Sequence, residues 1–126
     1  MAIHKQTKAT SIPDGVKAAV ALRDSMHGPA TCILCGAPGS PSCHVVRRSQ
    51  GGMGVEQNLV TLCDACHKAF DEGTGIRRLE RLGFCSRKQI EDYIVHYIKG
   101  FYPDWTPESV TYCKGAELVA IHKGRT

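Results

Sequence analysis

Two cysteine pairs, Cys32-Ile33-Leu34-Cys35 and Cys63-Asp64-Ala65-Cys66, enclose the stretch that decides the fold. Between them run Cys43-His44-Val45-Val46-Arg47-Arg48-Ser49-Gln50-Gly51-Gly52 and Asn58-Leu59-Val60-Thr61-Leu62, and His67 follows directly on Cys66. A two-residue spacer lets both sulfurs of a pair face one ion at about 2.3 Å, and tetrahedral Zn2+ takes four such ligands. The spacing predicts a structural zinc site of Cys32, Cys35, Cys63 and Cys66, with a β-hairpin filling the 27 residues between the pairs. Zinc bound in this way contributes roughly 10–16 kcal/mol coupled to folding. That compensates for a chain with only 6% aromatic residues. A second zinc set stays open at this point, in which Cys43 and His44 join Cys63 and Cys66.

The composition agrees with metal ligation. Seven cysteines is an odd number in a chain of 126 residues, and four of them fall in the two pairs, which disfavours a secreted disulfide scaffold. No apolar run approaches the ~18–20 residues of a membrane span. The start, Met1-Ala2-Ile3-His4-Lys5, lacks the apolar stretch of a signal peptide, so a cytoplasmic protein without a membrane partner is expected. The formal charge of +4 is mild, but its distribution is not uniform. Residues 1–50 sum to +4, 51–75 to −3, 76–100 to +3 and the remainder to zero. An acidic centre between basic flanks is what a cation site inside a polyanion-binding surface looks like.

Outward from the pairs, residues 1–12 are polar without periodicity and read as a flexible N-terminal arm. Pro13-Asp14 opens a helix that ends near Asp24, with Val16, Ala19 and Val20 on one face. Cys43–Val46 reads as one strand, Asn58–Leu62 as the returning strand, and Asp64 to about Glu72 as a helix stopped by Gly73. Ile76–Leu82 is a short basic helical stretch. Ser86-Arg87-Lys88-Gln89 fits a capping box for a helix with Ile90, Tyr93, Ile94, Tyr97 and Ile98 on one stripe, ending at Gly100. His96 falls off that stripe and is expected to face solvent. Thr106-Pro107-Glu108 looks like another helix start, and 115–126 like a weakly ordered tail. Cys85 and Cys113 read as fillers of apolar space.

Taken together, the two knuckles, the Gly-Gly turn, and His44, Asn58 and His67 in that order resemble the HNH nuclease family, in particular small phage-type members with a four-cysteine zinc site. The resemblance covers about residues 12–72. It implies an α+β fold, a zinc-stapled ββα-metal (His-Me) finger with flanking helices, that cuts nucleic acid with one divalent cation. The domain reading is therefore a core at 13–75 and a helical C-terminal extension at 76–126. The resemblance also implies DNA as the substrate, with phage packaging proteins as partners and a bacterial host cell as the setting.

The residue types support the same chemistry. Phosphodiester hydrolysis needs a base for water, a cation on the phosphate and leaving oxygen, and positive groups along the backbone. His44 is the candidate general base, because imidazole titrates near neutrality. His67 can bind the cation, and Asp71, four residues on, shares its helical face. By resemblance Asn58 braces the turn between the strands and holds His44 in orientation. Relatives often carry an acidic residue or a second His where Cys43 stands, and that residue is a metal ligand. Adjacent strand residues point to opposite faces, so this role needs local distortion. Either Cys43 ligates and shifts preference toward Zn2+, Mn2+ or Ni2+, or His67 and Asp71 suffice with waters for Mg2+.

Arg47 and Arg48 leave the first strand beside His44, where one is expected to hold a phosphate and the other to point away. Arg77, Arg78, Arg81, Arg87 and Lys88 are candidates for duplex-backbone contacts. The reading from sequence is metal-dependent endonuclease action on DNA. Its rival is a zinc-stapled DNA-binding module without cleavage activity, favoured by the missing acidic residue before His44.

Overall fold

The computed structural model describes residues 5–112, with side chains from Lys8 onward. Cys113 and the expected tail lie outside the described residues. Helix α1 spans Lys5–Thr10 and α2 spans Asp14–Arg23. Residues 5–10, which read as an arm, are thus helical, and Thr10 is buried. The polar composition hid this because the contacts that hold the segment are long-range ones to the 44–54 loop.

Strand β1 (Ser40–His44) pairs antiparallel with β2 (Leu59–Leu62), matching Cys43 with Val60 and His44 with Leu59. The register slips between Ser40 and Cys43, a bulge-like irregularity of the kind that re-aims a side chain. β1 starts earlier than the apolar run suggested and stops at His44. Beyond it the ladder passes to a side chain: Val45 N–H donates to the Asn58 carbonyl, and Val46 N–H donates to Asn58 Oδ1.

Helix α3 (Asp64–Glu72) follows β2 after one residue and ends at Gly73, whose φ of 74° suits glycine. It buries Cys66, Ala69 and Phe70 against the core, which leaves His67 and Asp71 half-buried at the edge of that face. A 3-10 helix at Ile76–Leu82 leads to α4 (Arg87–Phe101). Ser86 Oγ caps α4 by accepting from Gln89 N–H, while Gln89 Oε1 reaches back to the N–H of Cys85. Ile90, Ile94 and Ile98 are fully buried, at roughly 1.5–3 kcal/mol each for burial. His96 is exposed, as its place off the stripe predicted. A final 3-10 turn spans Glu108–Val110.

The sheet, α3, α4, Trp105 and Val110 share one hydrophobic cluster. The C-terminal segment also edges the loop between the strands. Met53 N–H donates to Val110, Tyr112 N–H to Gly51, and Trp105 Nε1 to the Gln57 carbonyl.

Candidate functional site

The first knuckle folds as a tight turn in which Cys32 N–H donates to Ala37 and Gly36 N–H to Cys32, with Gly36 at φ +82°. The second knuckle occupies the start of α3. The four sulfurs of Cys32, Cys35, Cys63 and Cys66 lie within 4.8 Å of one another. A hydrogen bond from Cys66 pulls the Cys32 thiol down to about 4, and the same hydrogen bond, with burial and the Cys32 charge, pushes Cys66 up. Four sulfur donors gathered in this way suit tetrahedral zinc. Cys43 and His44 stand outside this set, so the alternative zinc grouping does not form.

A second cluster joins β1 to α3. Ligand atoms of Cys43, His67 and Asp71 also fall within 4.8 Å of one another. His67 Nε2 is 3.0 Å from Asp71 Oδ2 across one helical turn, and both are more than a third exposed. Cys43 is buried, and burial pushes its thiol up, helped by the Asp71 carboxylate and by Cys32. The cluster opens on a cleft of about 540 Å³ lined by His44, Arg47, Arg48, His67, Asp71 and Ile12, among others.

His44 enters this cleft from the end of β1. Its Nε2 stands 2.9 Å from the Thr10 carbonyl. A carbonyl only accepts, so Nε2 carries the proton and Nδ1 keeps the lone pair. Burial lowers the pKa of the ring and the Arg48 charge adds to this, while the Thr10 and Ser42 carbonyls and Asp71 oppose it; the balance is a lowered value. His44 is therefore a neutral imidazole around neutral pH, with Nδ1 as its basic nitrogen.

Asn58 does not direct its side-chain hydrogen bonds to His44. Fully buried, it accepts from Val46 N–H at 2.8 Å and donates to the carbonyls of Val46 (3.1 Å) and Met53 (2.9 Å), tying both ends of the loop to β2. Gly52 is part of the same clamp: a Cβ there would lie 1.7 Å from the Val46 carbonyl oxygen. Any influence of Asn58 on His44 runs through the backbone of Val45 and Val46.

Both arginines line the cleft, where strand alternation predicted one; the chain has left β1 by residue 45 and alternation no longer applies. Arg47 Nη2 donates to the Asp71 carbonyl at 2.6 Å, and Arg48 donates to Thr10 Oγ1 and Ser11 Oγ. Arg77, Arg78 and Arg81 are exposed on the 3-10 helix and do not line the cleft. The Arg87 guanidinium sits over the Phe70 ring at 5.2 Å, and Lys88 pairs with Glu91 and Asp92. Thr10 is the site neighbour that sequence reasoning missed. It contributes a backbone oxygen, which no residue type advertises.

Residues 32–71 match the family model described as HNH endonuclease. Comparison with curated proteins and with solved structures finds no match. The matched stretch runs from the first zinc-site cysteine to Asp71 and contains both cysteine pairs, His44, Asn58 and His67. HNH nucleases act on DNA, and among the described residues no helix is long and apolar enough to cross a membrane. Over residues 32–71, then, the chain is similar to the HNH endonucleases, and its four clustered cysteines are placed to bind a metal.

Proposed function

We propose that the protein is a divalent-metal-dependent endonuclease that hydrolyses phosphodiester bonds in DNA. The observation that carries this reading is one cleft lined by both an oriented His44 and the His67–Asp71 pair, with Cys43 buried within reach of that pair. One nitrogen, one carboxylate oxygen and one sulfur within 4.8 Å of one another fit a cation, with room for water and substrate on the exposed side. His67 and Asp71 would hold the ion, and Cys43 would complete the set from the buried side. A divalent cation there supplies positive charge to the phosphate and the leaving oxygen.

His44 Nδ1 takes the proton from the attacking water, and the Thr10 carbonyl supports the imidazolium that forms. Arg47 and Arg48 hold phosphate oxygens at the cleft rim, Arg47 with its guanidinium already braced on the Asp71 carbonyl. Asn58 keeps the loop that carries both arginines in place. Arg77, Arg78 and Arg81, outside the cleft, are suited to the more distant duplex backbone. Mg2+ or Mn2+ is the catalytic ion that the family resemblance favours; the thiol of Cys43 favours Mn2+, Ni2+ or Zn2+. The four-cysteine site takes structural Zn2+. A role beside phage packaging proteins rests on the resemblance alone.

The test incubates full-length protein with supercoiled plasmid and each of Mg2+, Mn2+, Ni2+ and Zn2+, beside His44→Ala. Loss of the base should slow cutting about 10²–10⁴-fold. Equal cutting by both proteins would sink the base assignment. Plasmid left intact with every ion, but retarded in a gel shift, would favour a DNA-binding module instead; Cys43 in the position where relatives often carry an acidic residue or a second His is the observation on that side.

A further inference from the structure

Outside the matched family stretch, residues 8–12 pack along the loop that carries the cleft arginines. The contacts are specific and several. Gly54 N–H donates to the Ala9 carbonyl at 3.0 Å, Arg48 Nε donates to Thr10 Oγ1 at 2.9 Å, and Arg48 Nη2 donates to Ser11 Oγ at 3.0 Å. Thr10 is buried, and Ile12 lines the cleft itself. The backbone approach is so close that a Cβ on Gly54 would lie 2.0 Å from the Ser11 carbonyl oxygen and 3.0 Å from Ile12 N. At the centre of this seam the Thr10 carbonyl meets His44 Nε2.

We propose that residues 8–12 are a positioning strap for the nuclease centre, in which the Thr10 carbonyl holds the His44 ring in the Nε2–H form with Nδ1 turned to the reacting water. The chemistry needs such a partner. A neutral imidazole free of restraint divides its proton between the two nitrogens and rotates about χ2, so only part of its population presents a lone pair at one place. A fixed acceptor on one nitrogen removes both freedoms; β1 itself offers the ring the Ser42 carbonyl, a weaker partner than the Thr10 carbonyl at 2.9 Å. The seam on Gly54 and Arg48 keeps the carbonyl in position. The HNH unit at 32–71 is then incomplete as a catalyst without the segment that precedes α2.

The consequence for cleavage rests on His44 being the base of the nuclease reading; the orientation of the ring does not. Gly54→Ala in the full-length chain forces the strap off the loop and replaces no residue of the cleft. Nitrogen NMR of the imidazole ring above neutral pH, with the His44 signal assigned by its absence in His44→Ala, reads the tautomer directly. Wild type should show the Nε2–H form alone, and Gly54→Ala a mixture that includes Nδ1–H. Cleavage should fall about 10²-fold, as for a misplaced catalytic group, with zinc content and gel-shift affinity unchanged. A wild-type ring without tautomer preference, or the same spectrum in both proteins, would overturn the strap. A tautomer change between two proteins that both leave DNA uncut, whichever cation is added, would leave the strap standing and remove the nuclease reading. If Gly54→Ala does not fold, Thr10→Val keeps the side-chain volume and removes the hydroxyl that Arg48 grips. It should move the tautomer the same way to a smaller degree, and an unmoved ring would again overturn the strap.

Discussion

Tyr97 Oη donates a hydrogen bond to Asp24 Oδ1 at 2.6 Å, joining residues 73 positions apart. The carboxylate also accepts from Thr61 N–H in β2 and from the Arg23 guanidinium, which itself donates to the carbonyls of Glu56 and Leu59. Three aromatic rings, of Tyr97, Phe101 and Tyr102, surround that guanidinium at 5.5 to 6.0 Å. Burial and the Asp24 charge push the Tyr97 hydroxyl up, so it stays a donor. The end of α2, the start of β2 and the last turns of α4 are thereby fixed to one buried carboxylate.

Tyr97→Phe removes a single hydrogen bond to a charged group and should destabilise the zinc-loaded protein by about 1.5–3 kcal/mol. Asp24→Ala strands the Arg23 guanidinium and the Thr61 amide and should cost about 3–5 kcal/mol. Urea unfolding followed by circular dichroism measures both. Equal losses for the two variants would mean that the hub is held by something other than the carboxylate.

Zinc should be inseparable from the fold. Cys66 is fully buried and Cys32 nearly so, and both belong to the hydrophobic cluster beneath the sheet. Chelation, or Cys63→Ser, exposes that cluster and removes roughly 10–16 kcal/mol of apparent binding energy. Metal analysis should find zinc bound in the purified protein, and its removal should abolish the cooperative thermal transition. A transition that survives chelation would show that packing alone holds the sheet on α3.

The second cluster separates from the first by mutation. His67→Ala and Asp71→Ala each remove a donor that is more than a third exposed and lies outside the core, so structural zinc and stability should be kept. Cation-dependent cutting should fall by at least about 10²-fold. Cys43→Asp exchanges a buried sulfur for an oxygen and should shift activity from Mn2+, Ni2+ or Zn2+ toward Mg2+. An unchanged order of metal preference would place Cys43 outside the coordination sphere.

Asn58 acts through the backbone. Asn58→Ala leaves the Val46 N–H and the carbonyls of Val46 and Met53 without their partner, a loss of about 3 kcal/mol. The loop between the strands should then exchange its amide hydrogens faster than α4 does. Uniformly faster exchange over the whole chain would instead assign Asn58 to global stability.

Much of this architecture is legible in residue order because its determinants are local. The C-x-x-C spacing makes a knuckle by covalent geometry, Pro13 and Gly73 bound their helices, and Ser86 caps α4. The isoleucine stripe at 90, 94 and 98 is a helix face wherever it is placed. The limits of β1 were harder to read, since an apolar pair at 45–46 looks like strand although the Asn58 side chain has replaced the ladder there. Helix α1 was missed because polar residues without a stripe give no sign of the surface they cover.

The sequence by itself determined which donor atoms exist and how the chain must turn to gather them: four thiols in two knuckles, and His44, His67 and Asp71 on two adjoining elements. Only the tertiary structure decided how those atoms are held. The partner of His44 is a backbone oxygen of Thr10, the brace of Arg47 is the carbonyl of Asp71, and the carboxylate that joins α2, β2 and α4 meets its tyrosine 73 residues away. Every residue offers the same carbonyl, so composition and spacing say nothing of which one is used. That choice is made by packing, when residues 8–12 and α4 close on the hairpin from opposite ends of the chain.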